Sequence, residues 1–228
     1  MACLDVQALV ANGAEVTSNL GIAGGNITMA IWVNFDTAPT TDLEVSIMSQ
    51  SNSVESVQYN IGYRNTAGVL KLIMTRDRNN IASSTITFDT TLTIGQWFHI
   101  AGSYDGTNLF LYINGDFKTS GSGGTGAGAP GAQEAFSVGY VAHASGDIQP
   151  IDGKIAHAVC YNEALSAVNI KRISQSRPPN NDTNLVLYWP LNEGSGTTTN
   201  DHADRIGSNN GSITTAIWST LHPQTTYK

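Results

Sequence analysis

The stretch WFHIAGSYDGTNLFLYING, residues 97–115, decides the fold class. It contains two apolar runs, Trp97–Tyr104 and Asn108–Ile113, on either side of Asp105-Gly106. An Asp-Gly pair between two apolar runs is a strong β-hairpin signal, because glycine adopts the positive φ that a tight turn requires. Asn114-Gly115 supplies a second turn, so we expect the meander to continue into a third strand, Asp116–Thr119.

Short β-type runs separated by turn residues recur along the rest of the chain, and helical periodicity is nearly absent. In the strand predicted at Asn26–Phe35, the side chains of Ile27, Met29, Ile31 and Val33 fall on one face and that of Trp32 on the other. Further strands are predicted at Leu43–Met48, Ser56–Tyr63, Val69–Met74, Thr85–Phe88, Ala135–Gly139, Lys154–Tyr161 and Leu185–Leu191.

One short helix is predicted near residues 163–173. Asn162 or Ser166 is a suitable N-cap, and Leu165, Val168 and Ile173 are expected to face the core. About twelve short strands and a single helix indicate an all-β sandwich.

The composition agrees with that class. Ser, Thr and Asn make up 64 of the 228 residues, and only 13% of the residues are charged, against a usual ~25%. The length suits one large all-β domain or two small ones. The net charge is −7 and no Lys/Arg cluster occurs, which argues against nucleic-acid binding and against a polybasic membrane surface.

The N-terminus, MACLDVQALV, lacks the pattern of a signal peptide, and no run of 18 apolar residues occurs. We therefore expect the protein to work where it is made or to be released by lysis, unless a leader has been removed. The two cysteines, Cys3 and Cys160, are expected to be buried free thiols. The alternative is a bridge between them, should the protein mature outside the cytosol.

Several blocks resemble one family. Four blocks occur in the order found in laminin-G-like jelly rolls: the strand NITMAIWVNF at 26–35, the hairpin segment 97–115, the strand at 136–139 and the segment DGKIAHAVCYNEALS at 152–166. These belong to the concanavalin A-like lectin/glucanase fold, which includes pentraxin-like relatives. The resemblance implies a jelly-roll β-sandwich of two antiparallel sheets, and surface recognition, above all of carbohydrate.

The C-terminal segment is out of place in that pattern. LVLYWPLNEGSGT, residues 185–197, resembles the segment that usually opens such a domain, yet it comes last. We predict one domain over residues 1–228, in which residues 1–176 form the main sandwich and residues 184–228 complete it beside the N-terminal strands. The alternative is a separate stub that starts a further repeat.

The sequence offers no catalytic pattern. Glucanases of the resembled fold carry a Glu-x-Asp-x-Glu type of run on one strand, and retaining cleavage needs two carboxyl groups close together. The nearest pair is Asp42 with Glu44, in a Thr-rich stretch. There is no G-x-S-x-G motif, and the five histidines show no metal-ligand spacing. We therefore predict that the protein is not an enzyme.

A calcium ion is a possible cofactor of such a fold. The family's carboxylate after the "G-x-I" motif falls on Ala156, which removes one expected ligand. Asp201 with Asn210 remains a candidate pair for Ca²⁺, a hard cation that prefers oxygen ligands. The alternative for Asp201 is a turn-capping role.

Glycan recognition needs aromatic platforms beside planar polar groups. The candidate ligand-binding residues lie on turns and strand ends: Tyr63, Arg64, Arg76, Asp77, Tyr140 and His143. The alternatives are a solvated hairpin turn for the charges around Arg76, and a position at the rim of the sheet for Tyr140.

We therefore predict a non-catalytic, lectin-like module that binds carbohydrate or a cell or virion surface. The alternative is a structural virion protein, such as a phage capsid decoration or tail component without glycan binding; a glycoside hydrolase is a third candidate. The predicted partners are a surface glycan, capsid or tail proteins and other copies of the chain. The predicted locations are a virion surface, the outside after lysis, or the cytoplasm.

Overall fold

The computed structural model describes residues 2–6, 13–16, 20, 25–37, 44–52, 57–77, 83–125, 134–140, 149–179, 182–203, 209–214, 216–221 and 223. These residues form seventeen strands and one helix: β1 (Cys3–Val6), β2 (Gly13–Val16), β3 (Ile27–Phe35), β4 (Val45–Asn52), β5 (Val57–Thr66), β6 (Val69–Asp77), β7 (Ser83–Asp89), β8 (Trp97–Tyr104), β9 (Asn108–Ile113), β10 (Asp116–Ser122), β11 (Glu134–Val138), β12 (Gln149–Pro150), β13 (Gly153–Tyr161), α1 (Ala167–Ile173), β14 (Leu185–Trp189), β15 (Thr198–Thr199), β16 (Gly211–Thr214) and β17 (Ile217–Ser219). The described residues contain no helix that is long and apolar enough to cross a membrane.

The strands form two sheets. Sheet I has the order β10-β9-β8-β3-β13-β1-β17, with β14 also paired to β13. Sheet II has the order β15-β16-β2-β11-β4-β5-β6-β7, with β12 also paired to β4. Among the described residues, every strand pairing is antiparallel except the two-residue contact between β12 and β4. This arrangement confirms the predicted all-β jelly-roll sandwich.

The hairpin that the sequence indicated most strongly is present. The Asp105 carboxylate accepts hydrogen bonds from the backbone N–H groups of Thr107 at 2.9 Å and Asn108 at 2.7 Å, and Gly106 has a φ of +97°. In the next turn Asn114 and Gly115 have φ values of +54° and +78°. Two positive φ values in a two-residue turn match the twist of the flanking strands.

Strand β3 separates two environments, as its alternation predicted. Ile27, Met29, Ile31 and Val33 lie in the main core between the sheets, whereas Trp32 lies on the outer face of sheet I beside Cys3 and Ala156. The sheets approach closely at Gly102 of β8, where an added Cβ would lie 2.7 Å from the Met74 sulfur of sheet II.

Helix α1 is shorter than the predicted region and begins after Ser166, whose Oγ accepts from the Asn169 N–H at 3.4 Å. Leu165 and Ile173 are buried against the outer face of sheet I, as expected. The prediction for Val168 was wrong, because its side chain is 78% exposed and Ile170 is buried instead. The helix starts at residue 167, so its geometry places residues 170 and 173, three positions apart, on the same buried face.

A strand from the N-terminal part of the chain and one from the C-terminal part meet at strand β13. Strand β1 pairs with the first half of β13, where Leu4 is opposite Ile155, and β14 pairs with the second half, where Trp189 is opposite Ala158. Since β3 occupies the other side of β13 along its whole length, β1 and β14 lie end to end along one side. Strands β17 and β16 pair with β1 and β2.

The two cysteines are free and buried, as the first interpretation expected. Cys160 points into the main core, whereas Cys3 lies on the outer face of sheet I. The Cys3 thiol donates to the Leu221 carbonyl at 2.8 Å, and burial raises its pKa to about 11. The two side chains therefore lie on opposite faces of one sheet, an arrangement that does not join them in a bridge.

His99 makes the stability of this fold depend on pH. Its side chain is 2% exposed, its ring meets Trp32 edge-on, and burial followed by the charge of Lys171 lowers its pKa from 6.5 to about 3. In the unfolded chain the His99 side chain takes up a proton as the pH falls through about 6.5, whereas in the folded chain it stays neutral until the pH approaches 3. The stabilisation is therefore complete above pH 6.5 and is lost as the pH falls toward 3.

We expect the free energy of unfolding to fall by about 2 kcal/mol between pH 6.5 and 4.5 through His99 alone. Urea unfolding curves at several pH values measure it. The buried carboxyl of Glu44 has a raised pKa and acts in the opposite direction, so the comparison is made with His99→Gln, which should lack this part of the slope. An identical pH dependence in both proteins would contradict the assignment.

Candidate functional site

Two of the predicted ligand-binding residues point into the protein. Tyr63 is 2% exposed, and its ring meets the Phe35 ring edge-on with 4.6 Å between the ring centroids. Burial raises the pKa of the Tyr63 hydroxyl. Arg76 is 1% exposed, and its guanidinium lies 4.2 Å above the Tyr104 ring. Neither side chain is placed to contact a ligand from solvent, because strand alternation directs residues 63 and 76 toward the core.

The other candidates do not converge. Arg64 and Asp77 both lie on the outer face of sheet II, but they are far apart. Arg64 on β5 is opposite Lys71 on β6. Asp77 lies six residues after Lys71 on β6, about 20 Å further along that strand. Tyr140 follows β11 and is 8% exposed, and its carbonyl accepts from the Ser137 hydroxyl at 2.9 Å. His143 lies outside the described residues.

The outer face of sheet II, called here the polar face, is rich in hydroxyl and amide groups. In one half of this face the polar side chains are buried and form hydrogen bonds with one another. The Ser46 hydroxyl donates to the Asn60 side chain at 2.7 Å, and the hydroxyls of Ser49 and Ser137 lie 2.8 Å apart. Asn60 also donates to Glu44, whose pKa is raised by burial. These bonds satisfy groups that burial would otherwise leave unpaired.

The other half of the polar face, along β6 and β7, is partly open to solvent, although Ile73 on the same face is buried. The hydroxyls of Thr75 and Thr85 lie 3.0 Å apart, and Lys71 forms an ion pair with Asp89 at 2.6 Å. This half carries hydrogen-bonding groups but has no aromatic side chain among the described residues of those two strands that point outward. It therefore offers polar contacts without a stacking platform.

A groove lies next to this open half, at one end of the sandwich. This end groove has a volume of about 400 Å³, within the ~300–1,000 Å³ range of small-molecule sites. Five apolar side chains, contributed by both sheets and by the connection after β7, form its walls: Val69, Phe88, Leu92, Phe98 and Ile113. Phe88 and Phe98 are only partly buried against the core, so part of each ring is available to a ligand.

Polar groups from two strands and a loop surround these walls. They are Asp89 at the end of β7, Thr90 and Thr91 after it, and Lys118 on β10. Aromatic rings with carboxylate, hydroxyl and ammonium groups at their margin complement a sugar, which presents an apolar C–H face and a rim of hydroxyls. Chemically, the arrangement can bind and orient a small polar ligand.

The pair proposed for calcium is engaged with backbone amides. Asp201 Oδ1 accepts from the N–H groups of Tyr188 at 2.9 Å and Ala203 at 3.0 Å, and Oδ2 accepts from Asn209 N–H at 3.2 Å. The Asn210 side-chain oxygen accepts from the Asp201 N–H at 2.9 Å. No three His, Cys, Asp or Glu side chains converge as metal ligands in the described part of the chain. These oxygens fit a turn-capping role and do not fit a calcium site.

We expect calcium to leave the stability unchanged and Asp201→Ala to lower the free energy of unfolding by about 2–4 kcal/mol, since three buried or half-buried amides lose a charged acceptor. Melting temperatures with millimolar CaCl₂ and with EDTA measure the first effect, and urea unfolding measures the second. A rise of several degrees in Tm on adding calcium, abolished in Asp201→Ala, would restore the metal site.

The chain belongs to the concanavalin A-like lectin/glucanases superfamily, since the family model of that description matches residues 10–171. This confirms the resemblance drawn from the sequence. No curated protein matches the chain.

Solved structures share the fold at low sequence identity. A Bacteroides ovatus protein, named as a candidate carbohydrate-binding protein, aligns with a TM-score of 0.72 at 17% identity over 96% of this chain and 60% of its own. A heptameric SAP-like pentraxin from Limulus polyphemus aligns at 0.57 and 16% identity, over 80% of this chain and 84% of its own. A Trypanosoma rangeli sialidase aligns at 0.52 and 15% identity, over 72% of this chain and 26% of its own. This chain thus spans three fifths of the Bacteroides protein.

The residues of the end groove were missed by the sequence reasoning. Phe98 was used only as part of the family pattern, and Lys118 received no role. The groove combines residues of β6, β7, β8, β9 and β10, which are brought together only when the two sheets pack. The sequence carries no local signal for such a site.

Proposed function

We propose that this chain is a non-catalytic carbohydrate-binding module and that the end groove is its binding site. The observation that carries the proposal is the combination of partly exposed Phe88 and Phe98 rings with Asp89, Thr91 and Lys118 in one groove of about 400 Å³. Membership of a superfamily named for lectins and glucanases supports it, as does the fold shared with a protein named for carbohydrate binding.

The chemistry of the described carboxylates supports a binding role over a hydrolytic one. Retaining and inverting glycosidases need two carboxyl groups on either side of the scissile bond. In the end groove Asp89 is the one carboxylate among the lining residues, and it is paired with Lys71. Glu44 is bonded to Asn60 away from the groove, and Asp42 lies outside the described residues. We expect no release of reducing ends from any glycan that binds.

A glycan array, run with calcium and with EDTA, tests the proposal on the whole protein. We expect hits in both conditions, with single-site dissociation constants near 1 mM, that is about 4 kcal/mol of binding free energy. Thr91→Trp places a large side chain in the groove from an exposed position, and we expect it to weaken binding at least about tenfold.

The matched control is Thr93→Trp, two residues along the same loop and outside the groove lining. It should bind like the parent protein, and both variants should keep the parent Tm. Hits that Thr91→Trp leaves unchanged would place the site elsewhere. A blank array with folded protein would contradict carbohydrate binding and favour the structural virion role, the alternative that the sequence left open.

A further inference from the structure

The charges around the end groove are unevenly paired. Asp89 is held by Lys71, whose ammonium lies 2.6 Å from its carboxylate. The nearby carboxylate of Asp116, two residues before Lys118, is held by Lys171 at 2.8 Å. Lys118 itself forms no ion pair with any described residue. Lys118 is thus the cation at this rim without an ion-pair partner among the described residues, although its charge adds to that of Lys171 in lowering the pKa of the Asp116 carboxyl.

This excess of positive charge is local. The chain as a whole has a net charge of −7. Around the groove, however, the three cations Lys71, Lys118 and Lys171 outnumber the two carboxylates, those of Asp89 and Asp116. Arg64 adds a further cation opposite Lys71 on the neighbouring strand. A groove with apolar walls focuses such a field, because the protein side has a low dielectric constant. The groove therefore favours ligands that carry a negative charge.

We infer that the preferred ligand is a sugar bearing a carboxylate, such as a uronic acid residue of an acidic polysaccharide. The inference rests on the proposed function and names the class of sugar. The C–H face of the ring would lie against Phe88 or Phe98, and the carboxylate would meet the Lys118 ammonium. A charge-assisted hydrogen bond of this kind is about twice as strong as a neutral one. Neutral sugars lack a carboxylate and therefore cannot form this charged contact with the Lys118 ammonium.

Matched pairs of methyl glycosides test the inference: glucuronide against glucoside, and galacturonide against galactoside. Each is titrated into the ¹⁵N-labelled whole protein at low salt, with NMR shifts as the readout. We expect the uronide to bind about three- to tenfold more tightly than its neutral partner, and the difference to shrink as salt is added. The shifts should map to the backbone of residues 88–92 and 118.

Lys118→Met keeps the apolar stem of the side chain and removes the charge. We expect the preference for the uronide to fall to about onefold, while binding of the neutral sugar persists. Lys118→Arg should keep the preference. The control is Arg172→Met on helix α1, which removes an exposed cation outside the groove and should also keep the preference.

The two failures are distinguishable. Equal binding of uronide and neutral sugar in the groove would overturn the inference and leave the proposed function standing. A preference that survives in Lys118→Met would also overturn it. Absence of any shift at residues 88–92 and 118 with all four glycosides, in protein shown to be folded, would overturn the inference together with the groove as a sugar site.

Discussion

Ending the chain after Ser176 is expected to leave a protein that does not fold. The deletion removes β14, which pairs with β13 and places Leu187 and Trp189 in the main core with no exposed surface. It also removes the partners of β1 and β2. Loss of Trp189 alone should cost about 3–5 kcal/mol, and a domain has only about 5–15 kcal/mol in total.

Far-UV circular dichroism and thermal melting of the truncated chain measure this result, with the full chain beside it. The point variant Trp189→Ala keeps the chain length and should lose about 3–5 kcal/mol, because it empties a site between the sheets. Trp218→Ala is the matched control, since Trp218 is only partly buried, and it should cost about 1 kcal/mol. A truncated protein that melts like the full chain would show that residues 184–228 form a separate stub. Until then, the single domain stays a prediction.

Replacement of Arg76 should have the second largest effect. Its guanidinium lies over Tyr104 and its Nη1 donates to the carbonyls of Gly123 at 2.9 Å and Gly124 at 3.3 Å. The side chain thus connects β6 of sheet II to the segment after β10 of sheet I. Arg76→Ala would leave a cavity and two carbonyls without this donor, and we expect a loss of about 3–5 kcal/mol.

Urea unfolding measures that loss, with Arg172→Ala as the control. Arg172 is exposed in the last turn of α1, where a cation contributes about 0.3–1 kcal/mol. Arg76→Lys should recover only part of the stability. The planar guanidinium of arginine stacks on the Tyr104 ring and donates to two carbonyls at once, which the compact ammonium of lysine cannot do. Equal stability of Arg76→Ala and the parent would show that the cation contributes nothing to the contact between the sheets.

Local patterns were sufficient for much of the fold. The hairpin at residues 97–115 was predictable because turn chemistry and alternation act over a few residues. The two faces of β3 followed from the same alternation. Helix α1 was found, but the exposure of Val168 was not, because the helix boundary fixes which residues face inward and boundaries carry a weak signal.

The candidate site was much less predictable. Arg76 and Asp77 were grouped as a charged turn, yet β6 extends to residue 77 and alternation sends one side chain into the core and the other outward. Because β6 continues through both charged residues, the side chain of Arg76 is buried, whereas charged side chains usually lie in solvent. Here Tyr104 and two carbonyls provide a site that accepts the guanidinium, and they lie far away in the sequence.

The sequence by itself determined the class of fold, the positions of most strands along the chain and the family. These depend on periodicity, turn residues and ordered motifs, which are properties of neighbouring residues. Tertiary structure alone decided that β1 and β14 share one side of β13, that Arg76 is buried, and that Phe88, Phe98 and Lys118 line one groove. The physical reason is that a sandwich brings together strands remote in sequence, so that a site at its end is made only when the two sheets pack.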